Sequence, residues 1–214
     1  LPERGAIRVE EFVNAFDYGY RAPTNKPFSV QAEAFPSPTR PGYHVLHIGL
    51  KAREISKQTR PAANLVFVVD VSGSMQGHGR LGLVKRSLRL LVSELSHRDR
   101  VGIVVYGTTA RVWLKSTPIW DAMTILGAID RLSAEGATNA AAGVRLGYAM
   151  AERHRIPGGT NRVILCSDGV ANTGVTSAKG MLRQVRGATQ RGVTITTVGV
   201  GVGNYNDVLM EKLA

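Results

Sequence analysis

From Asn64 onward, short apolar runs alternate with longer segments of helical periodicity. Leu65–Val69 (LVFVV), Val101–Tyr106 (VGIVVY), Arg162–Cys166 (RVILC) and Val193–Val200 (VTITTVGV) are continuous and rich in β-branched residues, the pattern of central strands covered on both faces. Ala110–Leu114 (ARVWL) follows Tyr106 through the turn-prone Gly107-Thr108-Thr109 and is expected as an antiparallel edge strand beside Val101–Tyr106. Leu81, Val84, Leu88, Leu91, Val92 and Leu95 fall on one face of a helix. Similar stripes run through Ala122–Leu132 (Met123, Leu126, Ile129), Ala140–Arg153 (Val144, Leu146, Met150) and Ser177–Gln190 (Met181, Leu182, Val185), and a last helix is expected to begin near Asn206. Together these elements predict an α/β fold: a doubly wound, mostly parallel, Rossmann-like sheet with helices on both faces. In such a sheet the ligand site lies beyond the C-terminal ends of the strands.

The first sixty or so residues read differently. An amphipathic helix over Val9–Phe16 precedes two extended runs, PFSVQAEAF and YHVLHIGL, separated by the Pro-rich PSPTRPG. We take residues 1–61 as an N-terminal helix-plus-strands extension and residues 62–214 as the main domain. The two runs either pair as a hairpin packed on that domain, or Tyr43–Leu50 joins its sheet. Val9, Phe12, Val13 and Phe16 form one apolar face, expected to be docked rather than floppy. His44 and His47 stand three apart in an extended run, hence on opposite faces, which argues against joint metal binding.

Composition narrows the picture. The 214 residues are 43% hydrophobic and 20% charged, ordinary for a folded domain, and no apolar run approaches the ~20 residues of a membrane span. The start lacks a signal-peptide pattern, and the chain reads as a trimmed piece of something longer. A formal charge of +11 makes nucleic acid worth considering. The Lys and Arg residues are scattered, however, and the densest stretch, Arg80–Arg100, sets them mostly opposite its apolar stripe, as on any solvated helix face. The single Cys166 excludes an internal disulfide and reads as a small buried hydrophobe.

Candidate chemistry gathers at the strand ends. Asp70-Val71-Ser72-Gly73-Ser74 follows LVFVV, Gly136-Ala137-Thr138-Asn139 precedes the third long helix, and Ser167-Asp168-Gly169 follows RVILC. All the side chains involved offer oxygen, the ligand type that a hard cation such as Mg²⁺ takes at about 2.0–2.1 Å. Asp-x-Ser-x-Ser, a later Thr and a later Asp-Gly, in this order and these loops, resemble the metal-ion-dependent adhesion site of von Willebrand factor A-type domains. The segments RVEEFVNAFDYGYRAPTNKPFSV and IPGGTNRVILCSDG are similar to bacterial envelope A-domain proteins that carry a short N-terminal extension.

The resemblance covers about two thirds of the chain. It implies that Ser72, Ser74 and Thr138 ligate the metal directly, and that Asp70 and Asp168 act mostly through waters. It further implies an open position filled by an Asp or Glu of a protein partner, in an adhesion or scaffolding role without catalysis. Mg²⁺ is the expected cation, with Mn²⁺ or Ca²⁺ as alternatives, and an envelope location follows from the same likeness. Two departures stand out: Gly136-Ala137-Thr138 replaces the commoner Gly-Gly-Thr or Gly-Ser-Thr, and the family's final strand and helix are absent. The second would leave Val193–Val200 as a raw sheet edge.

Rival readings lack parts. A phosphatase of the haloacid dehalogenase type needs Asp-x-Asp, but Ser72 holds the second position. A serine hydrolase needs Gly-x-Ser-x-Gly, no histidine is tied by sequence to Ser72 or Ser74, and His78 in the loop QGHGR reads as a rim residue. Gly199-Val200-Gly201-Val202-Gly203 misses the dinucleotide spacing.

Overall fold

Two strands of the N-terminal region pair with each other. After α1 (Val9–Asn14) come β1 (Phe28–Pro36) and β2 (His44–Ala52), antiparallel in the register Val30↔Leu50 and Ala32↔Ile48. The two runs thus pair with each other as a hairpin, and β2 takes no place in the larger sheet. One hairpin face carries Phe28, Val30, Leu46, Ile48 and Leu50, all exposed. On the other, His47 shares a 2.8 Å hydrogen bond with the Tyr20 hydroxyl and packs on the Tyr18 ring at 4.8 Å. The apolar face of α1 is not a buried one: Val9, Phe12, Val13 and Phe16 are exposed, and Phe12 and Phe16 meet edge-on.

The computed structural model describes residues 9–168, 177–201, 210 and 212–214, and the chain divides into two units, 1–60 and 61–214. The second unit is built on β3 (Ala63–Asp70), buried at every position. It pairs in parallel with β4 (Arg100–Tyr106) on one side and β6 (Thr160–Ser167) on the other. Outside these lie β5 (Ala110–Pro118), antiparallel to β4, and β7 (Val193–Gly199), parallel to β6. The edge strand expected over Ala110–Leu114 therefore runs on to Pro118, past register shifts opposite Val101–Val104. Among the described strands β7 is an edge as well, as the family resemblance implies for Val193–Val200, although its continuous apolar run alone suggests a central place.

Alternation along the strands splits the core into two layers. Leu65, Phe67 and Val69 of β3 pack with α2 (Arg80–Glu94) and α3 (Ala122–Asp130), whereas Val66 and Val68 pack with α4 (Ala140–Arg153) and α5 (Ala178–Gln190). Period two along a strand requires this division, and each fully buried Val or Leu contributes about 1.5–3 kcal/mol. The α2 stripe is as read from sequence, with Leu81, Val84, Leu88 and Val92 buried. In α3 the stripe is rotated: Ile125, Ala128 and Ile129 are buried, and Met123 is 84% exposed. The start of the last expected helix, near Asn206, lies outside the described residues, but Met210 and Leu213 join the second layer. Among the described residues no helix is long and apolar enough to cross a membrane.

Candidate metal centre

The C-terminal end of β3 delivers Asp70 to the rim of the sheet with no exposed surface. Its carboxylate is held from three directions. The Ser72 backbone N–H donates to Oδ1 at 2.9 Å, and the Ser167 hydroxyl and the Tyr106 hydroxyl donate to Oδ2 at 2.8 and 3.2 Å. Burial pushes the Asp70 carboxyl above its ordinary range, with the charge of Asp168 adding to this and hydrogen bonds from Ser72 and Ser167 opposing it. Burial likewise holds the Tyr106 phenol well above its usual value, so it remains a donor.

Beyond Asp70 the chain enters a 3-10 turn over Gly73–Gly79, with Ser72 at its N-cap position. The Ser72 side chain makes no capping bond; its hydroxyl lies 3.0 Å from that of Ser74. Ser72 is buried and Ser74 exposed, so the pair leads from the interior to the surface.

The Thr138 loop is tied to this one through the backbone. Gly73 N–H donates to the Gly136 carbonyl at 3.0 Å, Glu135 N–H donates to the Val71 carbonyl, and Asn139 N–H donates to the Gly107 carbonyl at 2.9 Å. Gly136 has φ +75°, and a side chain there would meet Thr108 Oγ1 at 2.7 Å. The Gly-Ala-Thr sequence thus keeps glycine at the position where a left-handed backbone requires it. Thr138 is 3% exposed, one residue before Asn139, whose side chain caps α4 by accepting from Ala142 N–H at 3.2 Å. The third loop reaches the centre through Ser167 on Asp70. Next to it, the Asp168 carboxylate accepts from Arg80 Nη1 at 3.1 Å, and the same nitrogen donates to the Ser74 carbonyl at 3.2 Å.

Asp70, Ser72 and Ser74 are therefore linked directly, Asp168 joins them through Arg80, and Thr138 is attached by its loop backbone. The sequence pattern singles out neither Tyr106 nor Arg80, and it offers Ser167 only as a loop oxygen rather than as the donor to Asp70. Arg80, placed there on a solvated helix face, is 8% exposed; the available signal was its position in the first turn of α2, directly before the buried Leu81. The donor set is two carboxylates and three hydroxyls, all hard oxygen. Among the described residues no three His, Cys, Asp or Glu side chains cluster as metal ligands, so a cation here depends on the hydroxyls. The buried Arg80 guanidinium places a positive charge on the Asp168 carboxylate.

A mainly parallel sheet with oxygen donors in the loops after β3 and β6 defines a doubly wound α/β fold with a strand-end site. Residues 64–214 match the model of the von Willebrand factor type A domain, and residues 1–47 match a second model described as von Willebrand factor. The chain belongs to the von Willebrand factor type A domain family. It is 39% identical over 222 aligned residues to the uncharacterized protein YfbK of Escherichia coli strain K12, an alignment that takes in all of this chain and 39% of that protein. Among solved structures it is similar to a von Willebrand factor type A protein from Catenulispora acidiphila, with TM-score 0.61 and 17% identity over 93% of this chain and 45% of that one. Another is proximal thread matrix protein 1 from the mussel byssus, solved with a zinc-occupied MIDAS motif, with TM-score 0.57 and 24% identity over 72% of this chain and 39% of that one.

Proposed function

We propose that this chain is a metal-dependent protein-binding module, of adhesion or scaffolding type, in which Asp70, Ser72, Ser74, Thr138 and Asp168 hold one divalent cation. Mg²⁺ is the first choice by ligand hardness, with Mn²⁺ or Ca²⁺ as alternatives. The observation that carries the reading is the arrangement around Asp70: a fully buried carboxylate fixed by three donors, next to two hydroxyls 3.0 Å apart that are not used as caps. The zinc-occupied motif of the mussel protein supports it by analogy of fold. A bound cation would supply an electrophilic centre for an Asp or Glu carboxylate of a partner protein. The chain's own part is to hold the carboxylates and hydroxyls in place before the ion arrives, which lowers the ordering cost of binding.

A binding role without catalysis fits the same geometry. Asp70 is engaged by three donors, and among the described side chains no histidine or lysine bonds the Ser72 or Ser74 hydroxyls, which lie 3.0 Å from each other. The test is calorimetric titration of Mg²⁺ and Mn²⁺ into the chain and into Asp70→Ala, followed by binding to bacterial envelope proteins and to duplex DNA, with Mg²⁺ or EDTA across a salt series. Metal binding lost with Asp70, together with chelator-sensitive protein binding, is expected. Affinity that ignores chelator and Asp70→Ala but falls steeply with salt would instead establish the nucleic-acid alternative. Metal-dependent turnover of phosphate or ester substrates that is lost with Asp70→Ala would establish the hydrolase or phosphatase-like alternative.

A further inference from the structure

Arg80 is unlike the other basic residues of α2. It is 8% exposed, and its ion pair with Asp168 is nearly sealed from water, with side-chain exposures of 9% and 2%. The pair is incompletely satisfied, because Arg80 Nε is buried with no hydrogen-bond partner among the described residues. A buried pair with a missing hydrogen bond is a poor stabilising device, since desolvation offsets much of the attraction. Its location suggests another role. The nitrogen that holds Asp168 also holds the backbone carbonyl of Ser74, so a positive charge already sits on one of the carboxylates assigned to the cation and beside the loop that carries the Ser74 hydroxyl.

The surroundings allow that charge to be held and released. The guanidinium seat depends on Gly201, with φ +125°, where a Cβ would lie 2.8 Å from Arg80 Nε. Beside it opens a cavity of about 600 Å³ lined by Gly79, Arg80, Leu83, Arg86 and Gly199–Gly201. Arg80 itself lines this cavity, so open space adjoins the present seat of its long side chain at the start of α2.

Resting on the metal-site reading above, we propose that Arg80 is an internal competitor for the cation. Its guanidinium neutralises Asp168 while the metal is away and turns into the cavity beside Gly199–Gly201 as the metal enters. Asp168 serves either positive charge, but the two repel at such short range. The affinity of the site is therefore set below what its oxygen ligands alone would give, and metal loading is coupled to the rim around Gly201.

Mn²⁺ titration calorimetry on the whole chain and on Arg80→Gln, Arg80→Met and Arg80→Lys tests this, with urea unfolding to verify that each variant is folded. Removing the charge in the Gln and Met variants should tighten Mn²⁺ binding by about tenfold or more, as expected for deleting a unit charge beside a divalent site, whereas Arg80→Lys stays near the parent. A second readout is phenylglyoxal labelling of Arg80 followed by mass spectrometry, which should be slow in EDTA and faster in saturating Mn²⁺. Unchanged or weaker binding in both neutral variants, with the parent binding Mn²⁺ through Asp70, overturns the competitor role and leaves the metal site standing. No Mn²⁺ binding by the parent or by any variant overturns both. Binding by the neutral variants alone would show the competition at its strongest.

Discussion

The Tyr106 hydroxyl gives the sharpest test of how the rim is built. Tyr106→Phe removes one donor from Asp70 Oδ2, at 3.2 Å, and leaves the ring of a fully buried residue in place. A hydrogen bond to a charged group contributes about 1.5–3 kcal/mol. Asp70 keeps the Ser72 and Ser167 donors, and the phenylalanine no longer has a hydroxyl to desolvate. A loss of about 1–2 kcal/mol is therefore expected, some 3–6 °C in Tm for a unit of this size. The assay is urea unfolding in EDTA, followed by the fluorescence of the two tryptophans, Trp113 and Trp120, which both lie in the second unit. The midpoint should fall with an unchanged slope. A double-mutant cycle with Asp70→Asn isolates the pair, and a coupling of at least about 0.5 kcal/mol is expected. An unmoved midpoint, or strictly additive effects, would refute the claim that Tyr106 holds Asp70.

Gly147 of α4 lies against β3, where a Cβ would fall 2.4 Å from Val68 Cγ2. Gly147→Ala should lower the urea midpoint, because overpacking of about 1–3 kcal/mol exceeds the helix-propensity gain of about 1 kcal/mol; a raised midpoint would show that α4 can yield. Burial pushes the Cys166 thiol up to about 12, so at pH 8 its thiolate fraction is on the order of one in ten thousand, and iodoacetamide should label it only after denaturation, as read by mass spectrometry. Because that value is raised, the thiol's contribution to stability is whole below about 8.5 and erodes as pH climbs toward about 12. Burial, with Arg100 and Arg153 nearby, lowers the His154 pKa, so its contribution to stability is present above about 6.5 and is lost as pH falls. His154→Gln should flatten the midpoint between pH 7 and 5, and an unchanged pH slope would remove His154 from that account.

Much of this was legible in residue order because local chemistry and global position agree. LVFVV is apolar at every position since β3 is covered on both faces, and Asp70 follows it since the rim begins where the apolar run ends. Other features depend on partners that sequence does not name. In AMTILGAID nearly every position is apolar, so two stripes compete, and tertiary packing chooses Ile125 and Ala128 over Met123. The length of β5 follows from its partner β4 rather than from its own pattern. Tyr106 reads as an ordinary strand end, and Ser167 as one more loop oxygen, until pairing brings both to Asp70. Arg80 is the clearest case, because periodicity assigns charge to the solvent side and only the close approach of Asp168 draws it inward.

The order in which the rim can be completed follows from the same pairing. Asp70 and the Ser167 that donates to it are 97 residues apart, and β3 needs β6 to close its second side. During synthesis at about 5–20 residues per second, an emerging LVFVV strand waits roughly 5–20 s for that partner, and long-range parallel pairing is slow once both are present. The centre that would meet a ligand thus cannot be completed before β6 has emerged, and its integrity in a nascent chain reports that translation has passed Ser167.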